Sequence, residues 1–410
     1  MRAEAVKWLK ITTELSLYAL IFALPFSKSL VEVFFVIAFV SWLAARALSP
    51  GAVSSFINVF KPSSSEMNLP LIVFTAVSAI SAVTSVSLSL SMEGLFGKLF
   101  ELVLAYFMVA ETIASRVKLK RMLAAILCSA ALVSADMVFQ LISGTDFLRG
   151  KPLYGWYKIT GPFANPNDLG GWLIVMLPLL LSFADFWKGD RIKKALVALS
   201  GLAAGCLIMT FAAGAWIAGA VSVVFLRIFK IRYLAAILVI FILVLPFVLP
   251  DPVKEKISAV FSAEKETMSF RMTLCREAAS IVKDYPLFGC GLNTYSIVAP
   301  RYRLTETSGF YAHNSYLQMA AESGVLGLIS FLWVIVVLFR TSLRALKKMR
   351  GTFYGAYLTG LLAGLLAFLV QSFVDTNFYS LQLSMLMWFM MGLLVAVRKT
   401  ALSETAGNVK

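Results

Sequence analysis

The sequence predicts an all-α, polytopic integral membrane protein with about 12 transmembrane helices. Of its 410 residues, 60% are hydrophobic and only 14% are charged, whereas a soluble domain carries about a quarter charged residues. Apolar runs of about 20 residues recur along the chain, and one helix of this length crosses the hydrocarbon layer of a bilayer. The runs also lack the strict alternation of polar and apolar residues that membrane β-barrels need.

The predicted helices follow one another in a single transmembrane domain, residues 1–410. Each is an apolar run with positive residues or turn formers on its flanks. Only Ala212–Gly214 separates the seventh run from the eighth, and a fusion of those two into one helix would invert every later segment. The predicted helices cover residues 11–27, 29–48, 68–88, 93–113, 121–143, 168–187, 195–212, 214–230, 233–250, 321–340, 353–374 and 379–397.

Positive charges between the runs indicate how these helices are oriented. The net charge is +15, but the lysines and arginines are spread along the chain and do not form one patch for nucleic acid. With a cytoplasmic N-terminus, 24 of them fall in cytoplasmic segments and only 5 in short outside loops, as the positive-inside rule requires. We therefore expect both termini in the cytoplasm and no nucleic-acid partner.

Two loops on the outer side hold the longest polar stretches. The larger loop, residues 251–312 between helices 9 and 10, is partly helical, with a predicted helix at Met268–Lys283. The second loop, residues 144–168, is dense in turn formers. Cys275 and Cys290 lie in the larger loop, where an oxidising compartment would allow a disulfide between them. No spacing of cysteine or histidine suggests a metal site.

His313, the single histidine of the chain, is the strongest catalytic candidate. It lies where the larger loop re-enters the bilayer, and Asn314 follows it. An imidazole can accept a proton from a hydroxyl group near neutral pH. The alternative is a histidine with a packing role at the start of a helix.

Arginines of the same loop are candidates for binding phosphate, because a guanidinium keeps its charge and matches phosphate oxygens in shape. Arg271 opens the predicted loop helix, and Arg276 lies on another face of that helix. Arg301 and Arg303 point the same way if the chain is extended there. The alternative is ion pairing inside the loop, for which Glu277, Asp284 and Glu306 are available.

Further polar candidates lie outside the larger loop. Lys158, Asn165 and the two residues Asn167–Asp168 could bind a sugar or a phosphate, although a structural turn explains this stretch equally well. Ionisable residues at membrane depth are costly and usually pair or face a cavity. Three such residues are Glu101, Asp136 and Asp375, of which the last lies at an outer helix end and could be merely interfacial.

Three stretches of the sequence carry a family resemblance. They are GPFANPNDLGGWL at 161–173, DYPLFGCGLNTY at 284–295 and AHNSYLQMAAESGVLGL at 312–328. With the layout of the helices they resemble the O-antigen ligase and polymerase superfamily of bacterial membrane glycosyltransferases over residues 9–398. In this resemblance the essential histidine of the family falls on His313, its loop arginine on Arg271, and its Gly-x-Gly turn on Gly289 and Gly291.

The resemblance implies an enzyme of the bacterial inner membrane with its active site on the periplasmic side. The implied reaction is an inverting glycosyl transfer without metal or cofactor, in which the histidine activates the acceptor hydroxyl and arginines hold a pyrophosphate. The donor would be a glycan on undecaprenyl pyrophosphate, and the acceptor would be lipid A-core. Within the superfamily, an O-antigen polymerase and a protein O-oligosaccharyltransferase are alternatives. A transporter or flippase for the same lipid is the alternative from another class.

The sequence departs from the pattern of this superfamily at Ala213. Relatives often have Ser-Arg-Gly there, with the arginine at the position of Ala213, and Lys158 stands where arginine is frequent. Loss of a guanidinium beside a pyrophosphate would weaken charge-assisted binding. We therefore expect a weakened or inactivated enzyme, or one in which another cation substitutes.

Overall fold

The computed structural model describes residues 1–155, 157–228, 251–304 and 311–407, which form helices joined by loops. These residues contain no β-strand, which confirms the predicted all-α class. Short 3-10 segments lie at Pro62–Ser64, Ala299–Tyr302 and Asn377–Tyr379, and a π-helical segment lies at Leu95–Leu99. The α-helices are α1 (Arg2–Ala23), α2 (Lys28–Ala47), α3 (Ala52–Phe60), α4 (Asn68–Val83), α5 (Leu88–Gly94), α6 (Phe100–Thr112), α7 (Arg116–Ser143), α8 (Pro166–Phe186), α9 (Asp190–Met209), α10 (Ala213–Ile228), α11 (Asp251–Asp284), α12 (Tyr295–Val298), α13 (Ser315–Met349), α14 (Phe353–Gln371) and α15 (Leu381–Gly407).

Seven helices in the described ranges are long and apolar enough to cross a membrane, namely α2, α7, α8, α9, α13, α14 and α15. The helices α4 and α10 are apolar but shorter. These findings support a polytopic membrane protein, while the count of 12 spans stays a prediction. The ninth predicted helix, 233–250, lies outside the described residues.

Several boundaries differ from the predicted ones. The third predicted helix, 68–88, ends at Val83, because the N–H of Val86 donates instead to the carbonyl of Cys290 at 2.9 Å. The fourth begins at Leu88, since α5, the π-helical segment and α6 follow one another without a break. The tenth begins at Ser315 rather than at residue 321, and the predicted loop helix Met268–Lys283 is the last part of α11. Thr210–Ala212 separates α9 from α10, so the seventh and eighth predicted helices are distinct.

Ion pairs gather at one end of the bundle, where α1 begins. There Glu14 binds Lys118 at 3.0 Å and Arg121 at 3.3 Å. The pairs Arg46–Glu111 and Arg398–Glu66 lie at the same end. We call this the ion-pair end. At the opposite end, here called the loop end, the loops at residues 144–165, 285–295 and 311–314 meet the helices.

The centre of the bundle is formed by α8, α14 and α15, which are almost fully buried. Two glycines let α14 approach α8 closely. A Cβ at Gly360 would lie 2.7 Å from Cα of Leu179, and one at Gly364 would lie 2.7 Å from the carbonyl oxygen of Val175. Small residues at such crossings are typical of packed membrane helices, where van der Waals contact drives association. This tight core holds the helix ends that carry the loops.

A break in α13 anchors the turn at residues 285–291. Gly324 has φ +70° and ψ 178° inside the helix. The N–H of Val325 donates to the carbonyl of Pro286 at 2.8 Å, and the N–H of Cys290 donates to the carbonyl of Ala321 at 2.8 Å. Backbone groups that the break frees from the helix are thus satisfied by the turn, as buried amides require. The turn that follows α11 therefore docks the larger loop onto α13.

Candidate active site

A cavity of about 970 Å³ opens at the loop end of the bundle. Its mouth is polar, and its walls come from helix starts and from the loops. Its floor lies deeper between the helices and is mostly apolar, although Ser78, Ser323 and Ser384 also line the cavity. The mouth is lined by Lys28, Lys98, Tyr154, Asn165, Asp168, Tyr311, His313 and Asp375, and the floor by Phe74, Leu102, Phe331, Met385 and Trp388. The arrangement suits a ligand with a charged or hydroxylated head and a hydrocarbon part.

His313 lies in the mouth of the cavity and faces a carboxylate. Its Nδ1 atom lies 3.6 Å from Oδ1 of Asp375 and is buried without a hydrogen-bond partner among the described residues. A carboxylate beside Nδ1 favours the tautomer that carries its proton there, which leaves the lone pair on Nε2. The pair can therefore orient an imidazole for accepting a proton.

Backbone contacts between two loops hold this pair together. The N–H of Ser315 donates to the carbonyls of Ser372 and Asp375, and the Ser315 hydroxyl donates to the same Asp375 carbonyl at 2.8 Å. The side chain of Asn314 caps α13 by accepting from the N–H groups of Tyr316 and Leu317. These bonds fix the segment that carries His313 against the segment that carries Asp375.

His313 itself adopts a backbone conformation that is rare for a residue with a side chain. Its φ is +47°, in the left-handed region. Asn293, which also lines the cavity, has φ +60°. Such strained residues concentrate at functional sites, where surrounding structure holds them in place. The strain at two lining residues supports the assignment of this cavity as the site.

Two lysines line the cavity wall formed by the membrane helices. Lys28 begins α2, and Lys98 lies in the π-helical segment. The Nζ of Lys98 donates to Oδ1 of Asn293 at 2.7 Å. In the part of the chain that the structure describes, neither lysine forms an ion pair. Both can therefore serve an anionic ligand.

Several polar atoms of the lining are buried and have no hydrogen-bond partner within the described residues. They include the hydroxyls of Ser78 and Tyr295 and one carboxylate oxygen of Glu101. Buried polar groups are nearly always hydrogen-bonded in folded proteins. With Nδ1 of His313 they make four such groups in one cavity, which indicates that it receives a polar ligand or water.

Several of the predicted candidates line the cavity, namely Glu101, Asn165, Asn167, Asp168, His313 and Asp375. Asn165 also caps α8, because its Oδ1 accepts from the N–H of Asp168 at 2.8 Å. Asn314 is the cap of α13 and Ala213 is the first residue of α10. Lys158 is half-buried, with Nζ 5.6 Å from the centre of the Tyr157 ring. None of these last three is among the residues that line the cavity.

The predicted arginines of the larger loop lie outside the cavity lining. Arg276, Arg301 and Arg303 are exposed, whereas Arg271 is half-buried. Arg271 lies one turn before Cys275 in α11, and the thiol of Cys275 contacts the carbonyl of Ala312 at 3.8 Å. The Arg271 face of α11 is thus turned toward the chain immediately before His313.

Two acids proposed as ion-pair partners for these arginines have other roles. Glu277 accepts a hydrogen bond from the N–H of Leu304 at 2.8 Å. Asp284 accepts from the hydroxyl of Tyr302, and this bond raises the pKa of Tyr302 to about 12. Both acids therefore hold the chain at residues 302–304 against α11. Glu306, the third acid, lies outside the described residues.

For three residues of the site, sequence reasoning missed the role and not the residue. Asp375 drew attention as an ionisable group at a helix end, but nothing in its neighbours indicated His313 as its partner. Lys28 and Lys98 entered the sequence analysis only as positive residues on the outer side of the membrane. The described residues contain no group of three or more His, Cys, Asp or Glu side chains arranged to hold a metal ion.

A comparison with protein families matched residues 198–332 to a family model described as O-antigen ligase. The match covers about a third of the chain, from α9 into α13. It includes Arg271, the turn at residues 285–291 and His313. The match confirms the predicted resemblance to the O-antigen ligase superfamily over this segment. A comparison with curated proteins found no match.

Proposed function

We propose, from the match of residues 198–332 to the O-antigen ligase family, that this protein is a glycosyltransferase of the bacterial inner membrane. It transfers a glycan from undecaprenyl pyrophosphate to a sugar hydroxyl of lipid A-core, with inversion at the anomeric carbon. The observation that carries the proposal is His313 Nδ1 at 3.6 Å from Asp375 Oδ1 in the mouth of a cavity with an apolar floor.

His313 is the proposed general base. With its Nδ1 proton directed at Asp375, Nε2 accepts the proton of the acceptor hydroxyl as the acceptor oxygen attacks the anomeric carbon. The bond from that carbon to the phosphate oxygen breaks, and its electron pair leaves with the pyrophosphate. Asp375 stabilises the imidazolium that forms, and the proton passes to solvent after release of the products.

Lys28 and Lys98 are the proposed contacts of the pyrophosphate. Negative charge grows on the leaving oxygen as the glycosidic bond breaks, so fixed cations stabilise the transition state more than the bound donor. The lack of an ion pair at either lysine within the described residues supports this role. Arg271, from the loop side, is the proposed further phosphate ligand, in keeping with its place in the family resemblance.

The apolar floor of the cavity is the proposed seat of the first part of the prenyl chain. Phe74 and Trp388 stack there with ring centres 6.2 Å apart, and Phe331 packs against Phe74 at 5.7 Å. Hydrocarbon placed among these rings gains dispersion contacts and leaves the head group at the polar mouth. A donor bound in this way places its anomeric carbon at the mouth of the cavity, at the same depth as His313.

The direct test uses purified protein with glycan-loaded undecaprenyl pyrophosphate and lipid A-core. We expect His313→Ala to reduce transfer by about 10²- to 10⁴-fold while the unfolding temperature and the binding of the donor stay near those of the parent. Transfer that persists in His313→Ala would mean that another residue is the general base.

The same assay separates the alternatives by product. Glycan on lipid A-core identifies a ligase, and lengthened carrier-linked glycan identifies a polymerase. Glycan on a protein acceptor identifies a protein O-oligosaccharyltransferase. Movement of the carrier across a vesicle membrane without bond formation identifies a transporter.

A further inference from the structure

Two tyrosines at the mouth of the cavity expose their rings. Tyr154 is 55% exposed and Tyr311 is 46% exposed, and both line the same cavity as His313. Large aromatic side chains carry a big apolar surface whose burial is favourable. Rings left open at the mouth of a polar cavity are therefore candidates for contact with a ligand.

The loop that carries Tyr154 is rigidly built. Tyr154 and Lys158 exchange backbone hydrogen bonds at 2.9 and 3.0 Å. The carboxylate of Asp146 accepts from the N–H groups of Arg149 and Lys151, which closes the preceding turn. Farther along, the N–H of Ile159 donates to the carbonyl of Met209. The backbone at Tyr154 is thus held by hydrogen bonds, which reduces the backbone freedom that is lost when a ligand binds the ring.

Tyr311 is presented from the opposite loop. The next residue, Ala312, is fully buried, and its N–H donates to Oε1 of Gln318 at 3.2 Å. The carbonyl of Ala312 is in contact with the thiol of Cys275. The backbone next to Tyr311 is therefore fixed to α13 and α11, while its ring stays open to the cavity.

We propose that Tyr154 and Tyr311 form a stacking platform for a sugar ring beside the reacting carbon, an inference that rests on the proposed function. One face of a pyranose ring presents C–H groups, which carry slight positive charge. The face of a tyrosine ring carries negative charge density, so the two surfaces attract each other and exclude water. The platform holds the sugar next to His313 and leaves its hydroxyls free for polar contacts.

Tyrosines also occur at membrane–water interfaces, where they anchor a protein. An anchoring ring contacts lipid head groups on the outer surface of the bundle. Tyr154 and Tyr311 instead line the same cavity as His313 and Asp375. Phe147 provides a matched control in the same loop, because it is 43% exposed and is absent from the cavity lining.

The test compares two probes on full-length protein in nanodiscs: undecaprenyl pyrophosphate bearing a disaccharide, and the same lipid without sugar. We expect Tyr154→Ala and Tyr311→Ala to weaken binding of the sugar-bearing lipid by about 3- to 10-fold. Binding of the sugar-free lipid should not change. Tyr154→Phe should retain the parent affinity, because stacking needs the ring and not the hydroxyl, and Phe147→Ala should behave as the parent.

A second arm measures KM for lipid A-core with the disaccharide lipid in excess. If KM for lipid A-core rises in the alanine variants while donor binding stays at the parent value, the platform binds the acceptor sugar. If binding of the sugar-bearing lipid weakens instead, the platform binds the donor sugar. Parent values in both arms for both alanine variants would overturn the platform, as would equal losses on the two lipids. Parent protein that binds neither lipid would overturn the proposed function and the platform with it.

Discussion

Oδ1 of Asp375 lies 3.6 Å from Nδ1 of His313, although the two residues belong to loops that precede different helices. The contact depends on Ser315, which binds the backbone of Asp375 with both its N–H and its hydroxyl. The carboxylate of Asp375 thus lies near enough to Nδ1 to favour the imidazole tautomer that carries its proton there.

Asp375→Asn should lower the rate of transfer by about 100-fold or more without weakening donor binding, because the amide cannot stabilise an imidazolium. The double variant His313→Ala/Asp375→Asn should be no slower than His313→Ala, since the two groups act as a unit. Rate constants from single-turnover assays check both points. Losses that multiply in the double variant would mean that Asp375 acts independently of His313.

Lys98→Gln should weaken donor binding by about tenfold through loss of a charge-assisted contact to phosphate. Salt should weaken binding less in this variant than in the parent, because one screened attraction is gone. Titrations at several ionic strengths measure both effects. Lys61→Gln, an exposed lysine at the ion-pair end, serves as the control, and an equal loss there would assign the effect to net charge.

Ala213→Arg should strengthen donor binding or raise the transfer rate. The start of α10 packs against the chain before Asp375, since a Cβ at Gly214 would lie 2.5 Å from a methyl carbon of Val374. A guanidinium from residue 213 therefore has the reach to approach the mouth of the cavity. Ala213→Gln provides a side chain without charge for comparison. If Ala213→Arg shows neither stronger donor binding nor faster transfer, the alignment of Ala213 with the arginine of relatives is wrong.

Gly324→Ala should destabilise the protein strongly. Its Cβ would lie 2.0 Å from the carbonyl oxygen of Leu287, and φ is +70°, so a backbone clash adds to about 1–3 kcal/mol of conformational strain. Gly201→Ala, with no atom within 4 Å of the added Cβ, should instead gain about 0.5–1 kcal/mol in the helix. Unfolding temperatures in detergent compare the two, and similar values would contradict the docking of the turn in the break of α13.

Cys290 should make stability fall at alkaline pH. Burial raises the pKa of its thiol to about 11, above the value of about 8.5 in an unfolded chain. Since the folded state holds the proton more tightly, the stabilisation is complete below pH 8.5 and is lost as the pH rises through about 11. Unfolding temperatures should decline less steeply over this range in Cys290→Ala than in the parent. Cys128→Ala, at a thiol on the outer face of α7, is the control, and equal slopes in parent and Cys290→Ala would refute the assignment.

The helices were largely predictable from the sequence because hydrophobic length alone identifies a segment that is long enough to cross a bilayer. The ends of the helices were not, since contacts distant in the sequence decide them. The helix that begins at Ser315 depends on the Asn314 cap. The helix that ends at Val83 stops there because the N–H of Val86 donates to the carbonyl of Cys290. The break at Gly324 is likewise invisible in a run of helix-compatible residues.

The site was predictable in part. The single histidine stood out by its rarity, and the structure brings His313 to the cavity. The loop arginines stood out by their charge, yet the lining cations are Lys28 and Lys98 from the membrane helices. Charge counts assign such residues to a side of the membrane but carry no information on which of them meet across a bundle.

The left-handed backbone at His313, with φ +47°, sets the stability of the fold against the proposed catalytic role of this residue. Glycine would occupy this turn with less strain, but it has no side chain that could accept a proton. Random substitution followed by selection for stability alone would thus tend to remove the imidazole that we propose as the general base.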